Sequence, residues 1–120
     1  MKRDMDLIRK LVLAIEEHPH GYAPAEIDVP DYSDEQVGYH LYLLVQGGLA
    51  TGNDAEGFEA ESPSAIIHAL TWKGHEFADA ARNETFWNKA RKTVKEKAGT
   101  VGIGVLTELL KSMARSALGI

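Results

Sequence analysis

The stretch Ser33 to Leu49, SDEQVGYHLYLLVQGGL, sets the tightest limit on how this chain can fold. Val37, Leu41 and Leu44 follow helical spacing with Val45 beside them, so one face of a helix is apolar. Ser33 is placed to cap the first turn, and Gln36 stands three residues on, where a capping box takes Glu or Gln. Gly47 and Gly48 supply the open or left-handed backbone that ends a helix, and Leu49 anchors the segment after it. An amphipathic helix that must hide one face therefore passes at once into an extended segment.

The 120 residues suit one domain with a real core, and a hydrophobic content of 44% with 26% charged residues is ordinary for a globular protein. There is no cysteine, which excludes disulfides, zinc–thiolate sites and thiol catalysis and fits a cytoplasmic protein. No apolar run approaches the roughly 18 residues of a spanning helix, so no membrane role is expected. The opening MKRDMDLIRK is too charged for a signal peptide. The net charge of −5 is unevenly spread: residues 1–83 hold 6 Lys and Arg against 15 Asp and Glu, whereas residues 84–120 hold 7 against 3. Such a split marks two kinds of partner, two parts that attract each other, or merely solvated faces.

In chain order, Met5, Ile8, Leu11, Val12 and Ile15 give residues 3–18 a helical stripe that Pro19 and Gly21 end. Asp4 and Asp6 lie near its positive end. Tyr22 to Tyr32 carries two prolines with Ile27 and Val29 alternating, which predicts an extended segment or short strand. After Leu49 comes a Gly, Asn, Asp and Ser rich loop, and then Ile66–Leu70 as a strand able to pair with Leu49–Thr51. Thr71 can cap a helix with Phe77 and Ala81 inward. Asn83 can cap another, from about Glu84 to Ala98, with Trp87, Ala90 and Val94 on its apolar side and Gly99 closing it. A last helix is dependable from Val105 to Leu118, since Gly102 and Gly104 weaken an earlier start.

Helix, short strand, polar loop, second strand and helix is the core order of a winged helix. The predicted class is α+β and mostly helical: a winged helix with a two-stranded wing over residues 1–83, and a helical extension over 84–120 that packs on it or mediates dimerisation. VGYHLYLLVQGGLA resembles the helix-to-wing signature of winged-helix regulators such as the arsenic-repressor family, and Leu70-Thr71-x-x-Gly74-x-x-Phe77 looks like their wing-to-helix exit. MKRDMDLIRKLVLAIEE, YHLYLLVQGGL, LTWKGHEFADAAR and FWNKARK together resemble Domain of Unknown Function 2513. That resemblance covers most of the chain and implies a small bacterial or phage-associated winged-helix protein without an established activity.

Winged helices commonly lay the corresponding helix in the major groove of DNA. Here Glu35, Tyr39, Tyr42 and Gln46 project opposite the apolar face, with Gln36 and His40 on its flank. Gln and His can bond base edges, and Tyr can bond phosphate. Charge opposes this use, because no Lys or Arg occurs from Leu11 through Trp72 while eleven carboxylates do. Lys89, Arg91, Lys92, Lys95 and Lys97 form the alternative contact for phosphates, although Glu96 interrupts the run. In the last helix, Val105, Leu106, Leu109, Leu110, Met113 and Ala117 cover roughly 140°, wider than the roughly 100° of a surface helix. Such a helix is covered on two sides, by folding back on the first helix or by packing against its copy. The resemblance to winged-helix regulators, which often dimerise through terminal helices, implies Leu106, Leu109, Leu110 and Met113 at a homodimer interface. Only Lys111 and Arg115 are basic on this helix, too few for membrane-surface binding.

Five histidines raise the question of a metal, but His18 and His20 flank a proline, His68 lies in a strand, and His75 next to Glu76 lacks HExxH spacing. No GxSxG, GxxxxGK[ST] or GxGxxG motif is present. No enzyme activity, metal or cofactor is expected. The sequence points to a DNA-binding or transcription-regulatory protein, or to an adaptor that uses a winged helix to bind protein and not DNA.

Overall fold

A computed structural model describes residues 1–55, 60–97 and 102–120, with side chains described through Lys95 in the middle stretch. The expected tip of the wing, with Glu56 and Glu59, lies outside the described residues, as do Gly99 and the side chains of Glu96 and Lys97. The architecture is α+β: α1 Met5–Glu17, α2 Asp34–Gln46, β1 Ala50–Asp54, β2 Ala65–Leu70, α3 Trp72–Ala81, α4 Glu84–Lys97 and α5 Ile103–Leu118. Among the described residues no helix is long and apolar enough to cross a membrane. The chain divides into two compact units at His75/Glu76, inside α3 and upstream of the expected 83/84 boundary.

In the first unit, Met1–His75, α1 buries Met5, Leu7, Ile8, Leu11, Val12 and Ile15. Its N-cap is Asp4, whose carboxylate accepts hydrogen bonds from the backbone of Asp6 at 2.9 Å and Leu7 at 3.1 Å. This is a more specific role than attraction to the helix end. Residues 22–32 form neither helix nor strand; Val29 is buried and Ala23 N–H donates to the His68 carbonyl at 2.7 Å. The expected capping box opens α2, with Ser33 Oγ accepting from Gln36 N–H and Gln36 Oε1 accepting from Ser33 N–H. Gly48 ends the turn with φ +75°.

The two strands pair antiparallel from Ala50↔Leu70 to Asp54↔Ala65, with an irregularity between Thr51 and Gly52. Thr71 closes the hairpin onto the exit of α2. Its N–H donates to the Leu49 carbonyl at 3.0 Å, its hydroxyl donates to the Gly48 carbonyl at 2.6 Å, and Gly74 N–H donates back to the hydroxyl at 3.1 Å. A Cβ on Gly74 would land on the Leu49 carbonyl oxygen, so only glycine lets α3 start this close.

In the second unit, Glu76–Ile120, Asn83 caps α4 by accepting from Phe86 N–H at 2.9 Å. Trp87, Ala90 and Val94 are buried as expected, and Phe77 meets Trp87 edge to face at 5.9 Å. Helix α5 begins at Ile103, earlier than the glycines suggest, and packs with α4.

Candidate functional site

The buried face of α2 is rotated from the one its apolar spacing predicts. Val37, His40 and Leu44 are buried, whereas Leu41 and Val45 are only partly covered. His40 is 1% exposed. Its Nδ1 donates to the Gln36 carbonyl at 2.8 Å, and its Nε2 accepts from Asp4 N–H at 2.8 Å. The Asp4 amide can only donate, so Nε2 must carry a lone pair and the ring is held as the neutral Nδ1–H tautomer. His40 thus ties α2 to the start of α1. Its expected place among the partner-binding residues is corrected by this burial, and the capping box likewise occupies the Gln36 side-chain oxygen. Sequence polarity gave no sign of this inward histidine, because its partner is a backbone amide 36 residues away.

On the opposite side of α2, Tyr39 and Tyr42 stack with ring centroids 6.1 Å apart and an interplanar angle of 20°. Both are half-buried, and Gln46 beyond them is exposed. At the N-terminal end of this face Glu35 is exposed, while Asp34, also exposed, lies on the flank with Val37, Gly38 and Leu41. Ser62, on the returning arm of the hairpin, donates to Glu35 Oε1 at 2.7 Å, and its chain neighbour Glu61 is exposed. Tyr32 donates to the other oxygen of the Asp4 carboxylate at 3.3 Å and faces Lys10 at 5.5 Å. Burial, then the negative charge of Asp4, pushes the Tyr32 phenol above its ordinary value.

On α4, Lys89, Lys92 and Lys95 are all exposed. Their i, i+3, i+6 spacing makes a stripe about 9 Å long that drifts around the helix. None of the three pairs with a carboxylate among the described residues. On α5 the expected dimer seam is partly used inside the single chain: Leu106 and Leu110 are fully buried, leaving Leu109 and Met113 half-covered. That corrects Leu106 and Leu110 as free interface residues, since a side chain already buried has no apolar area left to give a partner.

The histidines are dispersed. His18 and His20 meet edge to face, His68 contacts Asn53 at 3.3 Å, and His75 stands 3.9 Å from Glu16. Among the described residues no group of three or more His, Asp or Glu could hold a metal ion.

A family model described as "Hypothetical protein (DUF2513)" matches residues 2–100. The chain belongs to the DUF2513 family. An uncharacterized protein of Haemophilus influenzae is 31% identical over 122 residues, covering 98% of this chain and 99% of that protein. No solved structure matches. The DUF2513 model ends before α5, while the similarity to the Haemophilus protein runs through it.

Proposed function

We propose that this DUF2513 chain is a small winged-helix protein of DNA-binding, regulatory type, which touches duplex DNA through Lys89, Lys92 and Lys95. The lysine stripe carries the reading: three exposed cations on one helix, without carboxylate partners among the described residues. Support for the winged helix comes from the order α1, α2, β1, β2, α3 and from the tight passage of α2 into β1. The departure from that plan is the non-helical segment 22–32, where a helix-turn-helix has its first member.

The reading helix of such a fold is α2, yet here it contributes little to base recognition. Its Gln36 and His40 are held in structural hydrogen bonds, and Asp34, Glu35 and Glu61 repel phosphate. Binding through α4 is therefore dominated by phosphate contacts and indifferent to sequence. Fluorescence anisotropy with random-sequence duplex DNA tests it. Three phosphate contacts give a slope of log affinity against log salt of roughly −3. The double variant Lys92→Glu, Lys95→Glu should then lose affinity by more than tenfold at low salt. Absence of binding even at low salt removes this reading and leaves the protein-binding adaptor, which the half-exposed Tyr39–Tyr42 stack favours.

A further inference from the structure

We propose that the Tyr39–Tyr42 face of α2, together with the returning arm of the hairpin, docks an arginine-rich segment of a protein partner. The inference rests on the adaptor reading of this face and does not depend on the lysines of α4. Three observations on the first unit converge on a cationic, flat-headed ligand.

The first is the ring pair. Tyr39 and Tyr42 are stacked nearly parallel and only half covered, so part of the ring pair stays open to a ligand. A guanidinium group is planar, weakly hydrated and stacks on such a surface, while an ammonium group has no flat face to offer.

The second is the acidic end of the same face. Glu35 and Glu61 are exposed, and neither makes an ion pair among the described residues. The Ser62–Glu35 hydrogen bond fixes the hairpin arm to the helix. Gly38 permits that approach, because a Cβ there would meet Ser64 Oγ at 2.7 Å. The hairpin arm thus meets the helix at the carboxylate end of the ring face, and a carboxylate takes a guanidinium through two parallel hydrogen bonds.

The third is charge. From Leu11 through Trp72 the sequence has eleven carboxylates and no Lys or Arg. A phosphate backbone is repelled by such a surface, whereas a basic segment is drawn to it. Carboxylates in the first turn of α2 also favour the helix itself, but that accounts for neither the stacked rings nor Glu61.

The experiment is a fluorescence anisotropy titration with a labelled peptide of alternating Arg and Ser, beside peptides of Lys and Ser and of Glu and Ser. The arginine peptide should bind at low salt, several-fold more tightly than the lysine peptide, and the glutamate peptide should not bind. Tyr39→Ala with Tyr42→Ala leaves net charge unchanged and should weaken the arginine peptide at least tenfold. Tyr39→Phe with Tyr42→Phe keeps the rings and should retain binding.

Equal affinity of the wild type and the alanine variant would overturn the proposal, because attraction would then be general to an acidic protein. So would absence of peptide binding, or loss of duplex DNA binding in the alanine variant. Should the alanine variant not fold, Glu61→Lys carries the test at an exposed position: a loss of tenfold is expected, and unchanged affinity overturns the proposal. Lys92→Glu with Lys95→Glu should not weaken the peptide, so failure of the DNA reading and failure of this one are separately visible.

Discussion

His40 is the residue on which the first unit turns. It is the one polar or charged side chain buried among the described residues, and both ring nitrogens are engaged. Replacing it with Leu keeps comparable bulk but strands the Asp4 amide without its acceptor. His40→Leu should lower stability by about 1–3 kcal/mol in urea denaturation, with the slope of free energy on urea unchanged. Tyr32 gives a second prediction. Its phenol is raised by burial and by Asp4, so the neutral form is favoured in the folded chain. That contribution is complete below the ordinary tyrosine value of about 10 and is lost as pH rises through the higher folded value. Thermal unfolding of wild type and Tyr32→Phe should therefore shift in favour of the variant at strongly alkaline pH. A constant gap from neutral pH upward would contradict the assignment.

Among the elements, the junction of hairpin and α3 shows how closely backbone and sequence agree. Thr71 and Gly74 serve one purpose, since the Thr71 hydroxyl bonds the Gly48 carbonyl while Gly74 clears the Leu49 carbonyl. Gly74→Ala forces that carbonyl or the start of α3 to move. It should destabilise the protein by about 1–3 kcal/mol by thermal or urea unfolding, with no loss of exposed surface to explain the change. Elements bounded by such local chemistry were legible beforehand. Ser33, Thr71 and Asn83 cap helices as their positions imply, and Trp87, Ala90 and Val94 turn inward as their spacing implies. What could not be read was anything that needs a distant partner. The rotation of α2 toward His40 depends on a backbone amide from α1, and Leu106 and Leu110 proved already buried where apolar spacing alone suggested a seam. Local spacing was therefore enough to place Tyr39, Tyr42, Gln46 and the α4 lysines away from the buried face, but not to show that Gln36 and His40, which local polarity marks as surface residues, are held in structural hydrogen bonds.

At the scale of the whole molecule, the compact units differ in sign. Met1–His75 carries 13 carboxylates against 5 cations, while Glu76–Ile120 carries 5 against 8. Opposite charge on the units fits the two proposed contacts, phosphate at α4 and guanidinium at α2, because each repels the other's ligand. A contact of three lysines weakens as salt rises because each phosphate contact releases counterions, while the net charge of −5 adds a repulsion that salt screens. The tie between Asp4 and His40 has a consequence for the order in which the chain is made. Helix α1 is synthesised before the histidine that accepts the Asp4 amide, and 36 residues separate the two. At roughly 5–20 residues per second, the delay is about two to seven seconds. Until His40 is made, the only cap available to α1 is its own Asp4, and its apolar stripe has no α2 to pack against.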